Sequence, residues 1–107
     1  MWLHRALDRP DLVHHVALNM REWDRREIFA TRRDDDIDAF TQEVLSCGPI
    51  SWVAGIDEPI AAFGCAPMWK GVWSMWLFAT DRFGDIGLSV TKLIVRSIVP
   101  MLRDAGA

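Results

Sequence analysis

From Trp52 to Pro100 the chain alternates its apolar residues at strand spacing three times. It then passes through a short glycine loop and switches to helical spacing. Ile50 to Ile56 and Pro59 to Ala66 are predicted strands, joined into a hairpin at Asp57-Glu58. Pro67 to Gly71 is the next turn, and Val72 to Thr80 is the third strand of the meander. That strand is apolar on both faces: Trp73, Met75, Leu77 and Ala79 on one, Val72, Trp76 and Phe78 on the other. A strand with no polar face needs cover on both sides, which points to a layered α/β arrangement. The loop is Asp81-Arg82-Phe83-Gly84-Asp85-Ile86-Gly87. A strand that opens through glycines into a helix is one way to build an anion site. From Ile86 onward, Leu88, Val90, Leu93, Ile94, Val95, Ile98 and Leu102 form a broad apolar helical face, which Pro100 is expected to kink or end.

The residues before this meander read as one short strand and a run of helices. Trp2 to Leu7 is the strand. Asp8-Arg9-Pro10-Asp11 is a helix start, with a capping carboxylate and a proline near the first turn. Leu12, Val13, Val16, Ala17 and Met20 then recur at helical spacing. Arg21 to Thr31 continues that helix or begins a second, with Trp23, Ile28 and Phe29 apolar and Glu22 and Arg26 placed for an ion pair. Arg32-Arg33 followed by Asp34-Asp35-Asp36 is a junction whose aspartates cap a further helix, Ile37 to Ser46, ended by Gly48-Pro49.

With 107 residues, half of them hydrophobic, the chain is expected to be one domain with one core and not a disordered segment. The longest apolar run, Val72 to Ala79, is strand-sized, so no bilayer span is expected, and no signal-peptide core follows the charged first residues. A net charge of -3 argues against a general nucleic-acid binder. Cys47 and Cys65 are too few for a disulfide framework and read as small buried hydrophobes. Six tryptophans and no tyrosine make an unusual aromatic set, rich in anchors for cores and interfaces and lacking one common general acid.

Several other residues invite a chemical reading that the sequence does not support. His14 and His15 are adjacent on a helix and point about 100° apart, a poor start for one metal site. Asp34, Asp35, Asp36 and Asp38 lack the spread and the glycine of a cation loop, so a solvated capping run is the better reading. Arg21, Arg25, Arg26, Arg32 and Arg33 are interrupted by Glu22, Asp24 and Glu27, as on a salt-bridged helix face. No motif around Phe63-Gly64-Cys65-Ala66 supports a thiol nucleophile. Trp69 and Trp73, beside the turn, read either as interface anchors or as packing against the first helices.

Three stretches carry a resemblance to a known fold: Asn19-Met20-Arg21-Glu22-Trp23-Asp24-Arg25-Arg26-Glu27-Ile28, Pro59-Ile60-Ala61-Ala62-Phe63-Gly64, and Val72-Trp73-Ser74-Met75-Trp76-Leu77-Phe78-Ala79-Thr80-Asp81. Together with the element order they resemble the N-terminal half of the GNAT acetyltransferase fold. The likeness is closer to a family of phage proteins with a GNAT-like domain, which includes an internal core protein of short-tailed coliphages. It spans essentially all 107 residues but not the family's whole domain, in which a further strand, a helix and a hairpin normally follow. The implied fold is α/β, in an α+β layered form. It is a GNAT-like half-domain with a mostly antiparallel sheet, helices on both faces, and the order β-α-α-(α)-β-β-β-α. Without its usual neighbour, the strand Val72 to Thr80 is expected to have a free or splayed edge.

The resemblance also implies a cofactor site. GNAT enzymes seat the acetyl-CoA pyrophosphate on a loop of the form Gln/Arg-x-x-Gly-x-Gly/Ala. On this chain the site would comprise Phe78, Thr80, Arg82, Gly84, Gly87 and Ser89. Arg82 takes the first place of the motif and Gly87 the last, but Asp85 stands at the middle glycine and the glycine is shifted to Gly84. The strand Val72 to Thr80 brings no carboxylate base and the chain has no Tyr to reprotonate a thiolate, so no catalytic residue is assigned. The reading that follows is a phage or prophage protein in the virion interior or host cytoplasm. It would be a non-catalytic internal or structural virion component with no cofactor, joined to a second copy or another virion protein through the exposed strand edge. The alternatives are an acetyl-CoA-dependent N-acetyltransferase and a non-catalytic CoA-binding module.

Overall fold

A computed structural model describes residues 1–30, 32, 35–69 and 71–104. The meander forms as its alternation requires. Four strands, β1 (Trp2–Arg5), β2 (Ser51–Gly55), β3 (Pro59–Trp69) and β4 (Val72–Ala79), lie side by side in chain order, each antiparallel to the next. Helices α1 (Pro10–Leu18), α2 (Glu22–Phe29) and α3 (Ile37–Ser46) are inserted between β1 and β2. After β4 come a 3-10 turn (Asp81–Asp85), α4 (Gly87–Leu93), a π turn (Ile94–Ile98) and α5 (Val99–Asp104).

Period-two alternation places two cores on the two faces of this sheet. On one face Val53, Ala62 and Phe78 align across three strands and meet Val13, Val16 and Ala17 of α1, Phe29 of α2, and Phe40 and Val44 of α3. The other face carries Ala54, Ala61 and Ala79 in one row with Phe63 and Cys65 beyond, under Ile86, Val90, Ile98 and Leu102. Both faces of β4 are therefore used, as its sequence demanded. The chain is α+β, with a layered antiparallel sheet and helices on both faces.

The local signals are obeyed in most places. Helix α3 has the expected bounds; Asp36 caps it by accepting from the Ala39 N–H at 3.0 Å, and Gly48 follows its end at φ +118°. Arg33 and Asp34 of the same charged junction, and Thr31 before it, lie outside the described residues. Pro10 occupies the first turn of α1, but Asp8 does not cap it: Arg9 holds the cap position and its guanidinium binds Asp11 at 2.8 and 3.0 Å. The first strand stops at Arg5, because Ala6 drops into the core and Ala6–Asp8 becomes a 3-10 turn. Strand β3 runs three residues past Ala66, absorbing Pro67 where its nitrogen faces the β2 side beyond the end of the β2–β3 pairing, so a missing N–H is tolerated.

Pro100 does not end the last helix. A proline in a regular helix clashes with the carbonyl four residues back. Here the preceding turn widens, with the Val99 N–H bonding the Ile94 carbonyl five residues earlier, and the helix continues to Asp104.

Where β1, β2 and the β2–β3 link converge, Gly55 has no room for a side chain. A Cβ there would lie 2.2 Å from the Glu58 carbonyl oxygen and 2.4 Å from the Trp2 ring. Gly55→Ala is therefore expected to cost about 1–3 kcal/mol, as overpacking does, read from the urea midpoint; a wild-type midpoint would refute this account of the corner.

Candidate functional site

Strand β4 is an edge of the sheet, and what meets that edge differs along its length. Even-numbered residues turn their backbone groups toward β3: the Thr80 N–H bonds the Ile60 carbonyl at 2.8 Å, in register with Phe78 opposite Ala62 and Trp76 opposite Gly64. Odd-numbered residues face outward. At the inner end the outward groups are taken. The Ala79 carbonyl accepts from the Arg21 N–H at 2.8 Å, and the Ala79 N–H donates to the Asp24 carboxylate at 3.0 Å. Met20 and Thr80 form a β-bridge beside them.

Asp24 is 6% exposed. A buried carboxylate is tolerated only with full hydrogen bonding. Besides the Ala79 amide it accepts from Arg21 Nε at 2.7 Å and Nη2 at 3.2 Å. The same guanidinium lies 5.1 Å over the Phe83 ring, tying the start of α2 to the glycine loop. In the sequence Asp24 looked like one acid interrupting a row of arginines; only its position three residues after Arg21 hinted at the pair.

Beyond Ala79 the edge is open. Among the described residues no group bonds the outward backbone of Trp73, Met75 or Leu77. Against this stretch lies a cleft of about 420 Å³ between α2, α3 and β4, with Ile28, Phe40, Val44, Trp76 and Phe78 as its apolar walls. Its rim carries Glu27, Cys47 and an Arg32–Glu43 ion pair, with the Arg32 guanidinium 5.0 Å over the Phe40 ring. The Trp76 indole N–H is buried without an acceptor among the described residues. Apolar exposure continues to the hairpin tip, where Met68, Trp69 and Met75 are 58%, 64% and 47% exposed. Of the two turn tryptophans, Trp69 is outside and Trp73 packs on the core under α4 and α5, not against the first helices.

The six residues of the implied cofactor site do not share one surface. Phe78 is buried on the α1–α3 face, 5.1 Å from the Phe40 ring. Thr80 is buried at the strand end, where its hydroxyl accepts from the Arg82 N–H at 3.3 Å. Gly84 is exposed in the 3-10 turn, Gly87 opens α4 above the Phe83 ring, and Ser89 is exposed in the first turn of α4. Arg82 is already engaged. It bonds Asp57 at 2.5 Å, Glu58 at 3.2 Å and Asp85 at 3.1 Å, which joins the glycine loop to the β2–β3 link. These bonds raise the Arg82 pKa and hold the Asp57 carboxyl below its ordinary value. The Phe83 and Ile86 amides are spent on carbonyls within the loop. A diphosphate here would face three carboxylates around one shared guanidinium, so these residues fit a CoA pyrophosphate poorly.

The remaining candidates are structural. His14 binds Asp38 at 2.8 Å, Arg26 binds Glu22 at 2.9 Å, and no group of three or more metal-ligating side chains forms among the described residues. Cys65 is buried, which pushes its thiol pKa up, whereas Cys47 is half-buried at the cleft rim and is not the core residue its neighbours in sequence implied. No described helix is long and apolar enough to cross a membrane. Comparison of the chain with protein-family models, curated proteins and solved structures gave no match.

Two outcomes are expected. Asp24→Ala strands the Ala79 amide and should cost about 1–3 kcal/mol in urea unfolding; an unchanged midpoint would mean the edge closure contributes nothing. For Arg82→Met the sign follows Asp57. Its depressed folded pKa gives stability that is present above the ordinary carboxylate value and lost as pH falls through the folded one. The gap between wild type and variant should therefore be open at pH 7 and narrow below about pH 4. A gap independent of pH would rule the network out.

Proposed function

We propose that this chain is a non-catalytic assembly protein built on an acetyltransferase-like frame, which works by docking through the open edge of β4. The observation that carries the reading is the contrast between its two candidate sites. The loop that would seat a cofactor is closed on itself by Arg82 and three carboxylates. The strand edge that would meet another chain presents backbone groups unbonded among the described residues, beside an apolar cleft. Unpaired edges and exposed apolar patches are what protein partners bind. The likeness of Asn19 to Ile28, Pro59 to Gly64 and Val72 to Asp81 to GNAT-like phage proteins supplies the setting: an internal or structural component of a phage or prophage particle, in the virion or the host cytoplasm.

The competing reading is a CoA-binding module or an N-acetyltransferase. One observation favours it: no side chain caps the start of α4 at Gly87, where an anion would sit. Calorimetric titration of acetyl-CoA into the full chain separates the two. No heat at high ligand concentration is expected. Stoichiometric micromolar binding that is lost in Gly87→Trp would replace the assembly role with a cofactor one.

A further inference from the structure

We infer that the occupant of the β4 edge is the β4 edge of a second copy, paired antiparallel about a two-fold axis at Met75, so that two sheets become one. This rests on the docking role proposed above and adds the partner and the register.

Three features of the edge point to self-pairing. The first is its symmetry. The open stretch is bounded at one end by the β3–β4 turn, with Gly71 at φ +80°, and at the other by the Arg21 and Asp24 bonds to Ala79. Between them lie residues 72–78, and their midpoint is Met75. Met75 is an outward-facing position, and this parity is required for a two-fold on a hydrogen-bonded pair. Met75 then exchanges both backbone bonds with its counterpart, while Trp73 and Leu77 do so with Leu77 and Trp73 of the second copy. Every outward group of the open stretch is satisfied. A shift of two residues toward Ala79 would run into Asp24, and a shift the other way would leave Leu77 unpaired.

The second feature is charge. Val72–Ala79 contains no charged residue and no proline, the usual devices that keep edges apart. The chain carries a net charge of -3, yet along the strand itself two copies meeting here bring no like charges into opposition. An acidic or basic partner finds nothing on the strand itself to recognise.

The third feature is what the pairing covers. It brings together the two exposed Met75 side chains, and it sets Val72 against Phe78 and Ser74 against Trp76 of the second copy. Trp76, whose indole N–H has no acceptor among the described residues, then has a hydroxyl residue as its cross-strand neighbour.

The test is the molar mass of the full chain by light scattering over a concentration series, for wild type, Met75→Lys and Met68→Lys. A wild-type dimer is expected. Met75→Lys places two ammonium groups face to face at the axis and should weaken the dimer about tenfold or more. Met68→Lys, on the exposed hairpin tip, should leave it intact. Because Met75 is itself exposed, Met75→Lys should keep the wild-type circular dichroism and urea midpoint. Mild oxidation of Met75→Cys should give a covalent dimer, and Met68→Cys should not. A monomeric wild type, or a dimer that survives Met75→Lys, overturns this pairing while leaving the assembly role intact. Tight acetyl-CoA binding overturns that role whatever the molar mass.

Discussion

A single buried carboxylate fixes the relation between the helical layer and the sheet. Asp24 gathers the Arg21 guanidinium and the Ala79 amide in a place where an unpaired charge would cost several kcal/mol. Because Arg21 also donates its own amide to Ala79 and covers Phe83, one short segment joins the start of α2, the end of β4 and the entry to the glycine loop. The apolar contacts between Phe29, Phe40 and Phe78 supply burial but little direction. The hydrogen-bonded carboxylate supplies the direction. It sets where β4 stops being available as an edge and therefore where the cleft begins.

That division of β4 gives the molecule its two characters. Inward of Ala79, polar groups are spent on internal bonds, and the same holds in the loop, where Arg82 serves Asp57, Glu58 and Asp85. Outward of it, the backbone groups of Trp73, Met75 and Leu77 have no bond among the described residues, and apolar side chains stay exposed. The cation of the loop is engaged within the fold, while the middle of β4 keeps its outward backbone exposed.

Much of the architecture was legible because periodicity and turn residues agree with the fold. The double-sided apolar pattern of Val72 to Ala79 announced cover on both faces, and Asp36 and Gly48 marked the limits of α3. The misreadings came where tertiary contacts overrule a local signal. Asp8 has the chemistry of a cap, yet the burial of Ala6 turns the chain before Asp8 can serve as one. Cys47 has apolar neighbours in sequence but ends its helix at the cleft rim. The cleft was not legible at all. It arises because α2 and α3 approach a strand more than twenty residues away in sequence, and no local pattern encodes that meeting. Of the residues assigned to a cofactor, Phe78 departs furthest, since alternation along β4 sends its side chain to the face opposite α4.

The π turn before Pro100 bears on how the last helix reads the sheet. Its core contacts Val90, Ile98 and Leu102, with Ile94 packed beside them, recur every four residues, whereas an α-helix advances 3.6 residues per turn. Over the twelve residues from Val90 to Leu102, an unbroken α-helix would carry the stripe about 120° around its axis, off the sheet. One residue absorbed in a wider turn takes back about 100° of that drift. The segment Ile94–Ile98 therefore acts as a phase correction, letting a sequence written with a period of four keep one continuous line of contact. The proline sits where the correction has just been made.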